Sequence, residues 1–522
     1  MMTPATQTRP AATTGPLKPL LTSFIILFTT LGWLSACSDK AAADEATTGS
    51  TTATIDSTAI TSGTAEGGTQ TGYDAEDILA NSTFGSIVTI NFGSTVTISN
   101  PLSAAGVTIV QSGQDLTVTS TVAGVEYQLS GTTTNGSVKI YSDKKFKLTL
   151  NGVNITHADG PAINIQSSKR AFVVINDNTT NSLTDGASYA TSAEDQKATF
   201  FSEGQLVFSG HGSLDVKGNY KHGIASDDYI RVISGTITVT GAVTDGFHTN
   251  DAFIVDGGTL KVTAASDGIE CEEGYVIVND GNLTLNTGDD GIAASYEEED
   301  ASIDPYVTIN GGTINVTSTA GEGIESKSVL TINKGNITVK TADDGLNAGT
   351  AIYINGGNVY AYSTGNDAMD SNGIFTITGG KILAVGARAP EASIDCDART
   401  LKITGGILVG IAGATSGPTA SVSTVPSVIL GSGSANQVIH IEAADGTEAL
   451  TFQAPIAYST MIYASAKLKT GTSYRVYTGG SVTDGVSFNG LYMSGTYSKG
   501  SSSTSFTTNT MVTQVGGSMS RG

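Results

Sequence analysis

The sequence predicts an all-β chain wound as a right-handed parallel β-helix, and three observations carry that prediction. The first is a period. Glycines recur at Gly223, Gly246, Gly268, Gly291, Gly323 and Gly345, at spacings of 23, 22, 23, 32 and 22 residues. A fixed interval of this length marks a solenoid. The long interval is an ordinary repeat carrying about ten extra residues, Tyr296 to Pro305. The second is a further punctuation within each repeat, at Gly257-Gly258, Gly311-Gly312, Gly356-Gly357, Gly379-Gly380 and Gly405-Gly406. Glycine reaches positive φ without steric penalty and so marks a tight bend. The third is alternation of apolar and polar residues around those bends, as in AFIVDGGTLKVTAA and AIYINGGNVYAYST. That is the pattern of a half-buried strand.

Two or three short strands and two bends therefore fill one coil of about 22 residues. Tandem hairpins would not stack identical positions at a constant period. The right hand follows from the strong bias of parallel crossovers. Bulky core residues are few, with one Trp and 7% aromatic residues. Stacked Ile, Val and Leu can still bury a long core, because each coil covers the next. The solenoid is assigned to residues 81–414.

Residues 1–36 read as a lipoprotein signal peptide. Arg9 and Lys18 precede the apolar run LLTSFIILFTTLGWL, which ends in Leu34-Ser35-Ala36-Cys37. Charge, a short apolar run and small residues before the cut form a secretory signal. Cysteine after Leu-Ser-Ala resembles a bacterial lipobox, which implies lipidation of Cys37. With Ser38 next and Asp39 only after it, the expected location is the outer membrane or the cell surface. Residues 37–80, rich in Ala, Thr, Ser and Gly, read as a flexible tether.

Residues 415–522 lack the coil period but contain strand-like runs, VPSVIL, QVIHIEA and SYRVYT. The last coils turn apolar on the outward side of one strand, at Tyr360, Tyr362, Leu383, Val385, Val409 and Ile411. An exposed apolar patch of this kind is uncommon on a monomer. The C-terminal segment is therefore expected to cover it, with a frayed tail rich in Ser, Thr and Gly. Cys271 and Cys396 share one column five coils apart. At about 4.8 Å per coil they lie far beyond disulfide reach and read as small buried stack residues.

The repeat also ladders a charge. The residue before each coil glycine gives Asp245, Asp267, Asp290, Glu322, Asp344 and Asp367, and the second residue after it gives Glu270, Glu325 and Asp370, with His248 and Asn347 between. Asp289 and Asp343 add to the crowd. The residue between these positions is apolar: Phe247, Ile269, Ile292, Ile324, Leu346 and Met369. The side chain at the second position after the glycine should therefore face outward beside the bend. Carboxylates stacked about 5 Å apart repel by roughly 1 to 3 kcal/mol per pair. A cation offsets that cost, and Ca²⁺ suits carboxylates and carbonyls on adjacent turns. Calcium is thus the expected cofactor, with the nine acids of the two positions as ligands. A solvated acidic edge that discourages aggregation is the other reading. The insertion Tyr296-Glu297-Glu298-Glu299-Asp300 reads as a solvated loop.

Net charge is 26 − 48 = −22, which argues against nucleic acid as a partner. The stretch LTLNGVNITHADGPAINIQSSKRAFVVINDNTTNSLTDG, then FFSEGQLVFSGHGSLDVKGNYKHGI and the Asp-Gly-Ile coils, carry a resemblance. Together they resemble the bacterial surface family of carbohydrate-binding β-helix domains first recognised in a clostridial cellulose degrader. The resemblance covers about residues 80–414. It implies a pectate-lyase-like right-handed β-helix with bound calcium. It also implies binding, without turnover, of cellulose-type and acidic polysaccharides such as polygalacturonate. It supplies no sugar-contacting residues.

The enzyme alternative is a pectate-type lyase, which would need an Arg or Lys base beside the calcium. Lys327, Lys334 and Lys340 belong to one coil, and Arg388 and Arg399 lie beyond the acidic column. Gly210-His211-Gly212 precedes Asp227-Asp228, the wrong order for a polygalacturonase, and reads as a turn. The third alternative is a structural stalk or adhesin. The expected protein is a monomeric, non-catalytic, polysaccharide-binding surface lipoprotein.

Overall fold

The computed structural model describes residues 50–520 except 57, 298 and 299. The signal peptide, Cys37 and the first part of the tether lie outside the described residues. The described chain is nearly all β, with two short 3₁₀ turns at Ala75–Asp77 and Leu79–Asn81. No helix among the described residues is long and apolar enough to cross a membrane.

Three parallel ladders make up each coil. The coil glycine opens a short strand of the first ladder, such as Phe247–Thr249, Ile269–Cys271 and Ile324–Ser326. A bend leads to the second ladder, with strands Ala252–Val255, Tyr275–Val278 and Val329–Ile332. The double-glycine bend leads to the third, with Thr259–Thr263, Asn282–Thr287 and Asn336–Thr341. Pairing between coils is parallel and in register, so identical positions stack: Phe247 on Ile269, Ile269 on Ile292, Ile292 on Ile324. The first ladder is a 13-stranded sheet. This is the parallel β-solenoid that the period predicts.

Inward residues form continuous apolar rows. Ile237, Leu260, Leu283, Ile314, Ile337, Val359, Ile382 and Leu408 stack along the third ladder and are all buried. Each such side chain contributes about 1.5–3 kcal/mol on leaving water. The two glycine positions have different causes. The second glycine of the double-glycine bend has positive φ, for example 85° at Gly258 and 83° at Gly357. The coil glycine is required by close approach instead: a Cβ on Gly268 would lie 2.6 Å from the Gly291 carbonyl oxygen. Cys271 and Cys396 are free and buried.

The C-terminal segment covers the last coils as expected. Thr460–Ser465 adds antiparallel to Ile407–Ala412 and closes the edge of the third ladder. Tyr360, Leu383, Val385, Val409 and Ile411 are buried beneath a seven-stranded, antiparallel sheet, in one cluster with Ile439, Ile441, Leu450, Phe452, Tyr463 and Val476. Two sequence expectations are corrected. The tail is not frayed at Ser501–Thr507, which pairs with Ser473–Thr478. Its Ser-Thr run reflects a strand whose residues mostly face solvent, not a failure to pair.

The second correction concerns residues 50–80. Thr52–Asp56 pairs antiparallel with Leu491–Ser498, burying Ala53 and Ile55. Residues 61–77 then run as a strap along the outside of the second ladder. An asparagine ladder grips them. The amides of Asn279, Asn310, Asn333 and Asn355 donate to the carbonyls of Thr71, Gln70, Gly68 and Glu66. The same amides chain to one another at 2.8–2.9 Å. Asp77 ends the strap, buried between Arg170 (2.7 Å), Arg231 (3.3 Å) and the Tyr229 hydroxyl (2.6 Å). Low-complexity composition is ordered here because the receiving surface supplies the hydrogen bonds that the segment cannot make within itself.

Candidate functional site

The residue before each coil glycine sits where the chain leaves the third ladder and enters the first. Stacking places each carboxylate directly under the backbone of the next coil. One oxygen of Asp245, Asp267, Asp290 and Asp344 accepts the N–H of Asp267, Asp290, Glu322 and Asp367 respectively, at 2.7–3.2 Å. Asp367 does the same for the N–H of Ala392. The five aspartates of this row therefore have a structural task, each satisfying a backbone donor of the next coil. Only one oxygen of each is used in this way.

The row is buried, not solvated as an outward-facing acidic edge would be. Asp245, Asp267, Asp290, Asp344 and Asp367 are all under 10% exposed, because the next coil roofs each bend. Beside it runs the second row, His248, Glu270, Ala293, Glu325, Asn347, Asp370 and Asp395, one residue per coil in parallel register. Among the described residues the two rows bring together groups whose ligand atoms lie within 4.8 Å of one another. They are Asp245, Asp267 and Glu270; Asp267, Asp289 and Asp290; Asp290, Glu322 and Glu325; and Asp367, Asp370 and Asp395. His222, Asp245 and His248 form a fifth. Asp344 alone of the nine predicted acids joins none of them; its second oxygen lies 3.3 Å from the Asn347 amide.

Electrostatics show how poorly this density of carboxylates is compensated. Burial, then the neighbouring Asp245 and Glu270, push the Asp267 carboxyl up to about 8. Burial and Glu322 push Asp290 to about 10. Burial with Asp370 and Asp367 raises Asp344 to about 8. Burial with Asp395 raises Asp367 to about 7 and Asp370 to about 6. Asp245 is the exception. Burial would raise it, but hydrogen bonds from His222 and His248 hold it well below the usual carboxylate range. Among the described residues Lys327 is the lysine that reaches the column, at 2.6 Å from Glu325 and 2.8 Å from Glu297. The acidic insertion thus lends Glu297 to that pair, while Glu298 and Glu299 lie outside the described residues.

The donors fit calcium. They are hard oxygens, they sit on adjacent coils, and each group offers carboxylate oxygens not consumed by backbone hydrogen bonds. Four residues of these groups fall outside the nine predicted ligands: Asp395, Asp289, His222 and His248. Asp395 was legible, since Ile394-Asp395-Cys396 matches Ile269-Glu270-Cys271. Asp289 precedes the Asp290 column position and gains a role only from the bend. His222 stacks on His248 at 4.2 Å, across a coil boundary that the missing acid before Gly223 obscures. His211 is 79% exposed beside Asp177 at a turn, as its Gly-His-Gly setting predicts.

The fold and site define a β-solenoid with a buried carboxylate column along one edge. The chain belongs to the carbohydrate-binding domain-containing protein family, whose model matches residues 112–368 and 275–395. It is 32% identical over 117 residues to a carbohydrate-binding domain-containing protein of Acetivibrio thermocellus, across 22% of this chain. The match spans 41% of that relative's length. A solved structure, that of the polysaccharide lyase-like protein from C. thermocellum as a gadolinium derivative, is similar at 24% identity with a TM-score of 0.38. That likeness covers 56% of this chain and 98% of the other.

Proposed function

We propose that the protein binds an acidic or plant cell-wall polysaccharide, such as polygalacturonate or cellulose, with calcium assistance and without cleaving it. Membership of a carbohydrate-binding family supports the ligand class. The single observation that carries the calcium reading is the buried carboxylate column, with five acids raised above their ordinary range for want of enough nearby cationic side chains. Asp245, Asp267, Glu270, Asp289, Asp290, Glu322, Glu325, Asp367, Asp370 and Asp395 would hold the ions. Bound ions invert the local sign, so that a chain of net charge −22 attracts a polyuronate instead of repelling it. Sites repeated coil by coil match a repetitive ligand, and many weak contacts add by avidity.

One feature favours binding over lyase chemistry. Lys327 stands beside Glu325, where a lyase base would be sought. Two carboxylates outweigh its burial and raise its pKa, which holds it protonated. Attachment of the sequence through Cys37 to a bacterial outer membrane or cell surface completes the reading. A Cys37→Ser protein is expected to leave the membrane fraction.

The test incubates the protein with polygalacturonate in calcium and in EDTA, following both retention and the absorbance of unsaturated products. Retention in calcium alone, with flat absorbance, is expected. Rising absorbance means a lyase. Calcium-independent retention on cellulose refutes the shared-ion reading, and no retention on any glycan of a panel leaves a stalk or adhesin.

A further inference from the structure

The C-terminal end of the acidic column opens beside a cleft of about 420 Å³, within the range of small-ligand sites, about 300–1,000 Å³. The loop 386–391 forms one wall. It is tied down on both sides: the Ala387 N–H donates to the Asn366 carbonyl and the Gly386 N–H to the Ile411 carbonyl, each at 2.9 Å. Ala392, the next residue, donates its N–H to the Asp367 carboxylate. The cleft therefore adjoins the group Asp367, Asp370 and Asp395. Tyr362 and Ile456 supply its apolar wall. Both are half-buried and packed against the cluster beneath the C-terminal sheet, which holds the Tyr362 ring in place.

A second observation concerns charge. Arg388 lines the same cleft and is exposed. Its guanidinium has no ion-pair or hydrogen-bond partner among the described residues. That is unexpected so close to Asp367 and Asp370, which burial and neighbouring acids raise above their ordinary range. Glu391, the acid of the lining, adds to the charge around Asp367 and so belongs to the column's side of the cleft. A guanidinium with its donors unused at the mouth of a cleft suits a planar anion, and a carboxylate is one.

We infer that this cleft is a uronate subsite, in which Arg388 takes one sugar carboxylate directly and the apolar face of a pyranose ring packs on Tyr362 and Ile456. A cation held by Asp367, Asp370 and Asp395 takes the carboxylate of a neighbouring sugar. The subsite rests on the calcium-assisted polyuronate reading and gives it sugar contacts. It also selects between ligands. A neutral glucan or a methyl-esterified galacturonan offers the ring without the charge, and leaves both the guanidinium and the ion without an anion. A site built around a polar partner rejects an analogue that lacks it.

The test titrates the full chain with galacturonate oligomers in saturating calcium and follows binding by calorimetry. Arg388→Ala should weaken binding about tenfold or more, and Arg388→Glu further, with no fall in calcium affinity or melting midpoint. Tyr362→Ala should weaken binding as well, whereas Tyr362→Phe, which keeps the ring, should not. A fully methyl-esterified oligomer should bind more weakly by about tenfold or more and be indifferent to Arg388→Ala. Undiminished binding by Arg388→Ala overturns the subsite while the polyuronate reading stands. Equal binding of the methyl ester, or no binding by the unaltered protein, sinks both. If Tyr362→Ala fails to fold, the two arginine variants decide, since Arg388 is exposed and unpaired among the described residues.

Discussion

Removing calcium should make this protein progressively less stable as pH rises from about 4 to 8, and supplying calcium should abolish that dependence. The perturbation is chelation across a pH series. Two charges 4.8 Å apart, the span within which these acids gather, repel by about 3.5 kcal/mol at an effective dielectric of 20. Without a cation the column relieves that repulsion by keeping protons. A carboxyl whose folded pKa lies above its unfolded value binds its proton more tightly when folded. Its contribution is complete below the unfolded value of 3.8 and is lost as pH rises through the folded value, about 8 for Asp267 and Asp344. Each pH unit in that window removes up to about 1.4 kcal/mol per group. Asp267 alone therefore costs on the order of 4 kcal/mol between pH 4 and 7. Neighbouring groups do not add in full, since each retained proton eases the next. Calcium bound at these groups would replace those protons, so adding it near pH 7 should release them. Thermal melts in EDTA and in excess calcium, from pH 4.5 to 8, read the stability. Calorimetry in buffers of different ionisation enthalpy reads the proton release. Parallel melting profiles in the two conditions, together with no proton release, would refute the reasoning.

Three further outcomes follow from the same structure. Asp77→Ala removes the buried carboxylate that Arg170 and Arg231 share, while Arg170 keeps Asp74 and Glu76 and Arg231 keeps Asp256; it should cost about 1–3 kcal/mol with faster proteolysis within residues 61–77. Gly268→Ala pushes a methyl against the Gly291 carbonyl at 2.6 Å and should cost about 1–3 kcal/mol, equally with and without calcium. Asn333→Ala removes donors to Gly68 and Asn310. It should cost about 1–3 kcal/mol in denaturation midpoints, and unchanged stability would mean the asparagine ladder is not what holds the strap.

The coil was legible because its cause is periodic. Stacking repeats one steric demand at every turn, so Gly246, Gly268 and Gly291 mark the close approach by their spacing alone. The acidic rows were legible for the same reason. What the period could not reveal was burial. Whether Asp290 faces water depends on the roof laid by the next coil, and that roof is backbone, without a sequence signature. The order of residues 50–80 was hidden because their partners lie hundreds of positions away. The asparagines that order them stand in plain sight before the bends, at Asn310 and Asn355, but as ordinary turn residues. The tail misled in the same way, since an outward-facing Ser-Thr strand has the composition of a loop.

The strap changes how such a stack can come apart. An array in which each unit touches only its neighbours unravels from its ends, one unit at a time. Here one extended segment is hydrogen-bonded to coil after coil, from the Thr61 carbonyl on Gly406 and the Gly63 N–H on Thr378 to Asp77 on Arg170. Its leading strand is woven into the sheet that closes the last coils. Losing a terminal coil therefore means breaking the strap or the sheet first, and both span many coils. Unfolding of the described chain should accordingly be a single cooperative event, not a gradual shortening. Pulled from one end, the described chain would then resist as one body until it fails.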